Sequence, residues 1–106
     1  MDGIQNGSPL DEDTLVDLLK RAQHDADPEA FDGLYLLFAD RVFRYLQMHI
    51  IDTDAVEEVM ARVFVRLVDR INLYIIAPKD NAAIFSAWFY RMTHNLMMDT
   101  LRRRKG

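Results

Sequence analysis

Near the C-terminal end of the chain, Arg91, Asn95, Met98 and Arg102 recur at intervals of three to four residues. On a helix, residues so placed line one side. The run Arg102-Arg103-Arg104-Lys105 carries positive charge beyond them. Guanidinium and ammonium groups supply salt-dependent attraction to a phosphate backbone, whereas an asparagine amide pairs with a base edge only where that base is accessible. The other reading of the same residues is a basic last turn that complements the helix dipole.

Charge counted by segment sharpens the contrast. Residues 1–32 hold nine acids and two bases, residues 33–84 seven and six, and residues 85–106 one acid and five bases. The net charge of −4 over 106 residues therefore conceals a basic end, which points to a polyanion partner there or to a solvated basic tail. With 50% hydrophobic and 28% charged residues the composition is that of one small globular domain. The absence of cysteine excludes disulfides, thiol nucleophiles and cysteine-ligated metals. No stretch has the length of a membrane span or a secretory signal, so the expected compartment is cytoplasmic, with no membrane partner.

No catalytic constellation emerges. His24, His49 and His94 fall on separate expected helices, Ser8 and Ser86 have no base nearby in sequence, and no glycine-rich phosphate loop is present. Carboxylates cluster at helix starts and on outer faces, where capping and solubility account for them. Asp52-Thr53-Asp54 has an acid-x-acid pattern, but Glu57 occupies the position where a calcium loop needs glycine. The chain reads as a binding module rather than an enzyme, with no metal and no cofactor.

The elements that must position these residues are helical throughout, which makes the expected fold class all-α, a compact bundle of about four helices. Residues 1–9 read as a flexible leader, and the folded domain is expected over 10–106. A first helix from about Glu12 to His24 carries Leu15, Leu18, Leu19 and Ala22 as its stripe, with Asp11 or Asp13 as its cap. Asp27-Pro28-Glu29 opens a second helix to about Ile50: Asp27 caps, Pro28 suits the first turn and Glu29 meets the positive dipole end. Its stripe, Phe31, Leu34, Tyr35, Phe38, Val42, Tyr45 and Leu46, is widened by Leu36, Leu37 and Phe43, which suggests a central helix. Asp54 and Glu57 have capping-box spacing at the start of a third helix, about Asp54 to Tyr74. Val56, Val59, Met60, Val63, Phe64, Leu67 and Ile71 form its core face. Ala61, Val65 and Val68, edged by Glu58, Arg62 and Asp69, form an outer strip that suggests a protein partner. Residues 72–83 are a loop in which Tyr74, Ile75 and Ile76 either tuck over the core or grip a ligand. A fourth helix, about Ala82 to Arg103, turns Phe85, Trp88, Phe89, Met92 and Leu96 inward and leaves Arg91, His94, Asn95, Met98 and Arg102 as a basic flank.

Three stretches, in order, resemble one family. Residues 85–104, FSAWFYRMTHNLMMDTLRRR, are similar to the promoter-reading helix of extracytoplasmic-function (ECF) sigma factors of bacterial RNA polymerase. Residues 27–35, DPEAFDGLY, resemble that family's opening helix, and residues 55–67, AVEEVMARVFVRL, resemble its A-E-D-x-x-Q-E-x-F-x-R-L helix. The resemblance runs from about Leu15 to Lys105. It implies the region 2 domain, a helical unit that binds the clamp helices of the polymerase core's largest subunit and opens the promoter −10 element. It further implies promoter DNA, mainly the single-stranded non-template strand, as ligand, and an anti-sigma factor as another partner.

Carried over by position, the resemblance places DNA contacts at Arg91, His94, Asn95, Met98, Arg102, Arg103, Arg104 and Lys105. Asn95 would hold a flipped base under the loop of residues 72–83. His94 is either a phosphate or base contact or a surface histidine, and Trp88 falls by spacing in the core rather than on a stacking platform. Polymerase contacts fall at Glu57, Glu58, Ala61, Arg62, Val65 and Asp69. The chain departs from the family where Ala61 and Arg62 replace a glutamine and an acid. It also stops after Gly106, without the second, helix-turn-helix domain (region 4) that reads the −35 element, as expected of an excised domain. Two rival readings remain: a sigma-like regulatory module that binds an anti-sigma or other helical partner without promoter activity, and an unrelated helical bundle with a catalytic pocket.

Overall fold

The computed structural model describes residues 12–76 and 82–105, apart from the side chains of Glu12 and Lys105. The leader, Asp11 as a cap, the loop centre at 77–81 and the Lys105 side chain lie outside the described residues. Four α-helices and one 3-10 turn follow in order: α1 Glu12–Asp25, α2 Pro28–His49, α3 Thr53–Arg70, the 3-10 turn Ile71–Leu73, and α4 Ala82–Lys105. Among the described residues there is no strand. No helix is long and apolar enough to cross a membrane.

The helix starts follow from local chemistry, with one correction. Asp27 caps α2 as expected, its Oδ1 accepting the Glu29 N–H at 3.0 Å, and Pro28 opens the first turn. The Asp27 Oδ2 also receives the Arg21 guanidinium, Nε at 3.0 Å and Nη2 at 2.8 Å, which ties the end of α1 to the start of α2. Between them Ala26 takes a left-handed backbone, φ 48°, to make the corner. At α3 the cap is Asp52, not Asp54: the Asp52 Oδ1 accepts the Asp54 N–H at 2.9 Å, so Asp54 sits inside the first turn. Asp13 likewise lies within α1 rather than capping it.

Packing makes α2 the common partner. It lies against α1, α3 and α4, while α3 also packs along α4, and α1 against the 3-10 turn. Its buried line is Ala30, Leu34, Phe38, Val42 and Leu46, at the four-residue repeat of a helix that crosses its neighbours closely. Tyr35, expected in the stripe, and Leu36 and Phe43, expected to widen it, are exposed instead, although the Tyr35 ring still meets Phe64 of α3 with centroids at 4.8 Å. At the centre the Phe38 ring stands between Phe85 and Phe89 of α4, with centroids at 5.5 and 5.2 Å. Edge-to-face and tilted pairs at that separation add to the burial of the rings themselves.

Two outcomes follow. Phe38→Ala, which empties a fully buried ring site, is expected to cost about 3–5 kcal/mol in urea unfolding followed by circular dichroism, whereas Phe38→Leu costs less. The Asp27 carboxyl is held below its ordinary range, chiefly by Arg21 and then by the Glu29 amide. A depressed carboxylate contributes stability above its unfolded value near pH 4 and loses it as pH falls through the folded value. Tm should therefore drop on acidification below about pH 4, and less so in Asp27→Asn, which keeps a cap but cannot titrate.

Candidate nucleic-acid interface

The rotation of α4 about its axis decides what it can bind. Phe85, Phe89, Leu96 and Met97 face the core, and so do two threonines that hydropathy alone reads as surface. Thr93 is satisfied within the helix, its hydroxyl donating to the Phe89 carbonyl at 2.9 Å. Thr100 accepts the Arg62 Nη1 across from α3 at 2.6 Å. Trp88 and Met92 are half-buried at the edge of this face. On the other side Arg91, Asn95, Met98 and Arg102 are exposed together, as their spacing requires.

Beside that flank runs a cleft of about 480 Å³ between α3 and α4. From α4 it is bordered by Trp88, Arg91, Met92, Asn95, Leu96 and Asp99, from α3 by Arg66 and Arg70, and from the 3-10 turn by Leu73. Arg66 and Arg70 are absent from the site read from sequence. The signal for them was available: Arg62, Arg66 and Arg70 recur every four residues and so form one line along α3. What the sequence could not supply was that this line faces α4. Three arginines and one amide thus border an apolar floor, an arrangement able to hold a phosphate-bearing ligand with a planar group against Trp88.

The acid in this setting, Asp99, is already engaged. Arg62 Nη2 approaches its Oδ2 at 3.2 Å, Arg103 at 3.4 Å, and Arg102 lies 3.7 Å from Oδ1. Arg62 is only 24% exposed, against 70% and 65% for Arg102 and Arg103. The sequence places Arg62 at the edge of the outer strip of α3, but its side chain turns inward because Asp99 and the buried Thr100 hydroxyl bind it there. It braces α3 to α4.

The remaining expected contacts divide. Arg104 reaches back to the start of α3, pairing with Asp52 at 2.8 Å and Glu58 at 2.9 Å; those partners hold its guanidinium more firmly charged. Asp52 is in turn held below the usual carboxylate range, first by the Asp54 amide and then by Arg104. His94 lies about 100° around the helix from Asn95. There its Nδ1 meets the Tyr45 hydroxyl at 2.9 Å, beside Tyr90, whose phenol burial pushes up in pKa. Arg91 and Asn95 are therefore brought together at the cleft, Arg102 and Arg103 lie along its rim through Asp99, and His94 and Arg104 are held elsewhere. On α3, Glu57, Glu58, Ala61, Val65 and Asp69 are exposed. Ala61, Val65 and Asp69 edge a shallow hollow of about 270 Å³ with Arg62, Arg66 and Leu96. Tyr74 tucks over the core, while Ile75 projects.

Comparison with known proteins adds two findings. The family model described as Sigma-70 region 2 matches residues 34–106. The chain is 28% identical over 85 residues to the ECF RNA polymerase sigma factor BldN of Streptomyces coelicolor, a match covering 80% of this chain and 30% of that protein. The chain thus spans about a third of the length of this relative. No solved structure gives a significant match.

The inward turn of Arg62 sets its own test. Arg62→Glu puts a carboxylate against Asp99 and should destabilise the fold by about 1–3 kcal/mol in denaturant titration. Exchanging both charges, Arg62→Glu with Asp99→Arg, should recover part of that loss. Equal stability of Arg62→Glu and the parent would remove the brace.

Proposed function

Because this chain belongs to the Sigma-70 region 2 family, we propose that it is a transcription-initiation domain that joins the RNA polymerase core and captures the promoter −10 element as an unpaired non-template strand. The observation that carries this reading is the cleft where Arg66, Arg70 and Arg91 surround the exposed Asn95 amide beside Trp88. Arginines on two helices suit a phosphate backbone running between them, and they fix register without reading sequence. The Asn95 amide can donate to and accept from a base edge, but only from a base turned out of its stack. Unstacking costs a few kcal/mol, which contacts open only to the extruded base offset, so binding itself holds the strands apart without ATP.

Arg102 and Arg103 extend the phosphate track along the rim, and Met98 gives an apolar contact beside it. His94, Arg104 and Lys105 join only where the strand continues past the cleft, and Arg104 must then leave Glu58 and Asp52. Polymerase docks on the outer face of α3 through Glu57, Glu58, Ala61, Val65 and Asp69. In this reading Arg62 serves that face indirectly, by fixing α3 against α4. An anti-sigma partner would compete for the same exposed strip, where Val65 and Val68 are 63% and 50% exposed.

Fluorescence anisotropy on single strands of varied sequence tests the reading. Asn95→Ala should lower affinity for a −10-like strand about tenfold while leaving scrambled strands little changed, the scale of one lost base contact. Arg102→Ala should weaken all strands alike and reduce the salt slope by about 0.7, the share of one phosphate contact on a single strand. Equal loss on all strands for Asn95→Ala would refute base reading at this position.

A further inference from the structure

The side chain of Gln23, on α1, makes two of the longest-range polar contacts in the fold. Its Nε2 donates to the Ile71 carbonyl at 2.8 Å and to the Tyr74 carbonyl at 2.6 Å, 48 and 51 residues away in sequence. Both amide hydrogens are thereby spent on the turn where the chain leaves α3. Ile71 ends α3, and its carbonyl also accepts the Tyr74 N–H at 3.2 Å, so one carbonyl is the hinge point of the whole corner. Beyond it the backbone is extended at Tyr74, and no helical hydrogen bond continues.

This corner is one end of the cleft. Leu73 of the same turn lines it directly. The Tyr74 ring, 7% exposed, packs on Phe85 and on Trp88 with both centroids at 5.1 Å, and Trp88 lines the cleft in turn. Leu73 and the Trp88 indole therefore border a turn whose two carbonyls, Ile71 and Tyr74, the Gln23 amide ties to α1.

We infer that Gln23 is a positioning residue for the cleft: it sets the Ile71–Tyr74 turn, and through Tyr74 the Trp88 ring, at the spacing a planar base against Asn95 requires. It touches no ligand. The inference rests on the proposed strand-binding reading for its consequence, but the positioning itself does not. A carboxylate at this place would face two carbonyl oxygens with no proton to share, and an aliphatic side chain would remove this donor from both, leaving the Ile71 carbonyl the Tyr74 N–H.

The test uses the full chain with Gln23→Leu and, should that variant fold poorly, Gln23→Glu, which keeps length and polarity but not the donor. Trp88 is the sole tryptophan, so its emission and acrylamide quenching report the cleft wall without any ligand. In either folded variant quenching should rise and emission shift to the red, while far-ultraviolet dichroism stays unchanged. Preference for a −10-like strand over a scrambled one should fall about tenfold, with the salt slope retained because the arginines remain. Gln23→Glu should regain part of its preference near pH 4–5, where the carboxyl gains a proton to donate. Unchanged Trp88 quenching in both variants overturns the inference. Increased quenching in a domain whose parent shows no strand preference would instead leave the positioning intact and refute the strand-binding reading. A uniform loss of affinity across all strands, matching the loss of Tm, would reduce Gln23 to a structural tie and also overturn it.

Discussion

The clasp of Phe38 by Phe85 and Phe89 fixes how α4 is rolled about its axis, and the outer surface of the domain follows from that roll. A helix of this length has no intrinsic reason to present one side over another, since its apolar residues are spread around much of its circumference. Once two rings on one side are held by α2, each other residue is assigned a direction by the 100° step of the helix. Thr93, Met97 and Thr100 go in with the rings, and Arg91, Asn95, Met98 and Arg102 go out. The polar threonines tolerate burial because each has a hydrogen bond within reach, one along the helix and one from Arg62.

Cations on this surface divide into those that hold the fold and those open to a ligand, and the division is set by acids on other elements. Arg62 and Arg104 are spent on bracing α3 to α4 at two levels, at Asp99 and at the Asp52–Glu58 pair. Arg21 is spent on the α1–α2 corner. Arg66, Arg70 and Arg91 converge on the cleft, where Asp99 is the acid at its border and is already approached by three arginines. A chain with a net negative charge can thus offer a positive groove, because field at short range depends on which charges are paired, and distant acids are screened within about 8–10 Å at ordinary ionic strength.

Helix identity and extent were legible in the sequence because apolar spacing and the Asp27-Pro28-Glu29 start are local signals, and the four helices lie within a few residues of their expected spans. Asp52 was not legible as the α3 cap, since Asp52 and Asp54 are both good caps and the choice falls two residues from the one that sequence spacing favours. The Arg104 contact to Asp52, from 52 residues away, is information no window contains. Exposure of Leu36 and Phe43 had the same origin: their spacing says apolar side, but only tertiary contact says how wide the covered side is. In the cleft, Arg91 and Asn95 were legible from one helix, whereas Arg66 and Arg70 needed the pairing of two. The three-to-four spacing of His94 with Arg91 and Met98 counts it on the flank, yet its offset of about 100° from Asn95 carries it to Tyr45.

Arg62 shows how a departure from a family pattern acquires meaning only in three dimensions. As a sequence change it reads as a reversed charge on a docking face, with an electrostatic penalty against a basic partner. In the fold its guanidinium is withdrawn from that face and its charge is largely met by Asp99, while its hydrogen bond satisfies a hydroxyl that burial would otherwise leave wanting. Relative to that pattern the outer strip lacks an acid, while Arg62 reaches only the edge of the hollow beside Ala61 and Val65, so the strip is less acidic without the full charge of an outward-pointing arginine. In the proposed docking, partner discrimination would rest on the fit around Ala61, Val65 and Val68, with Glu57, Arg66 and Asp69 supplying charge at the margin, and salt should matter less there than at the arginine-bordered cleft.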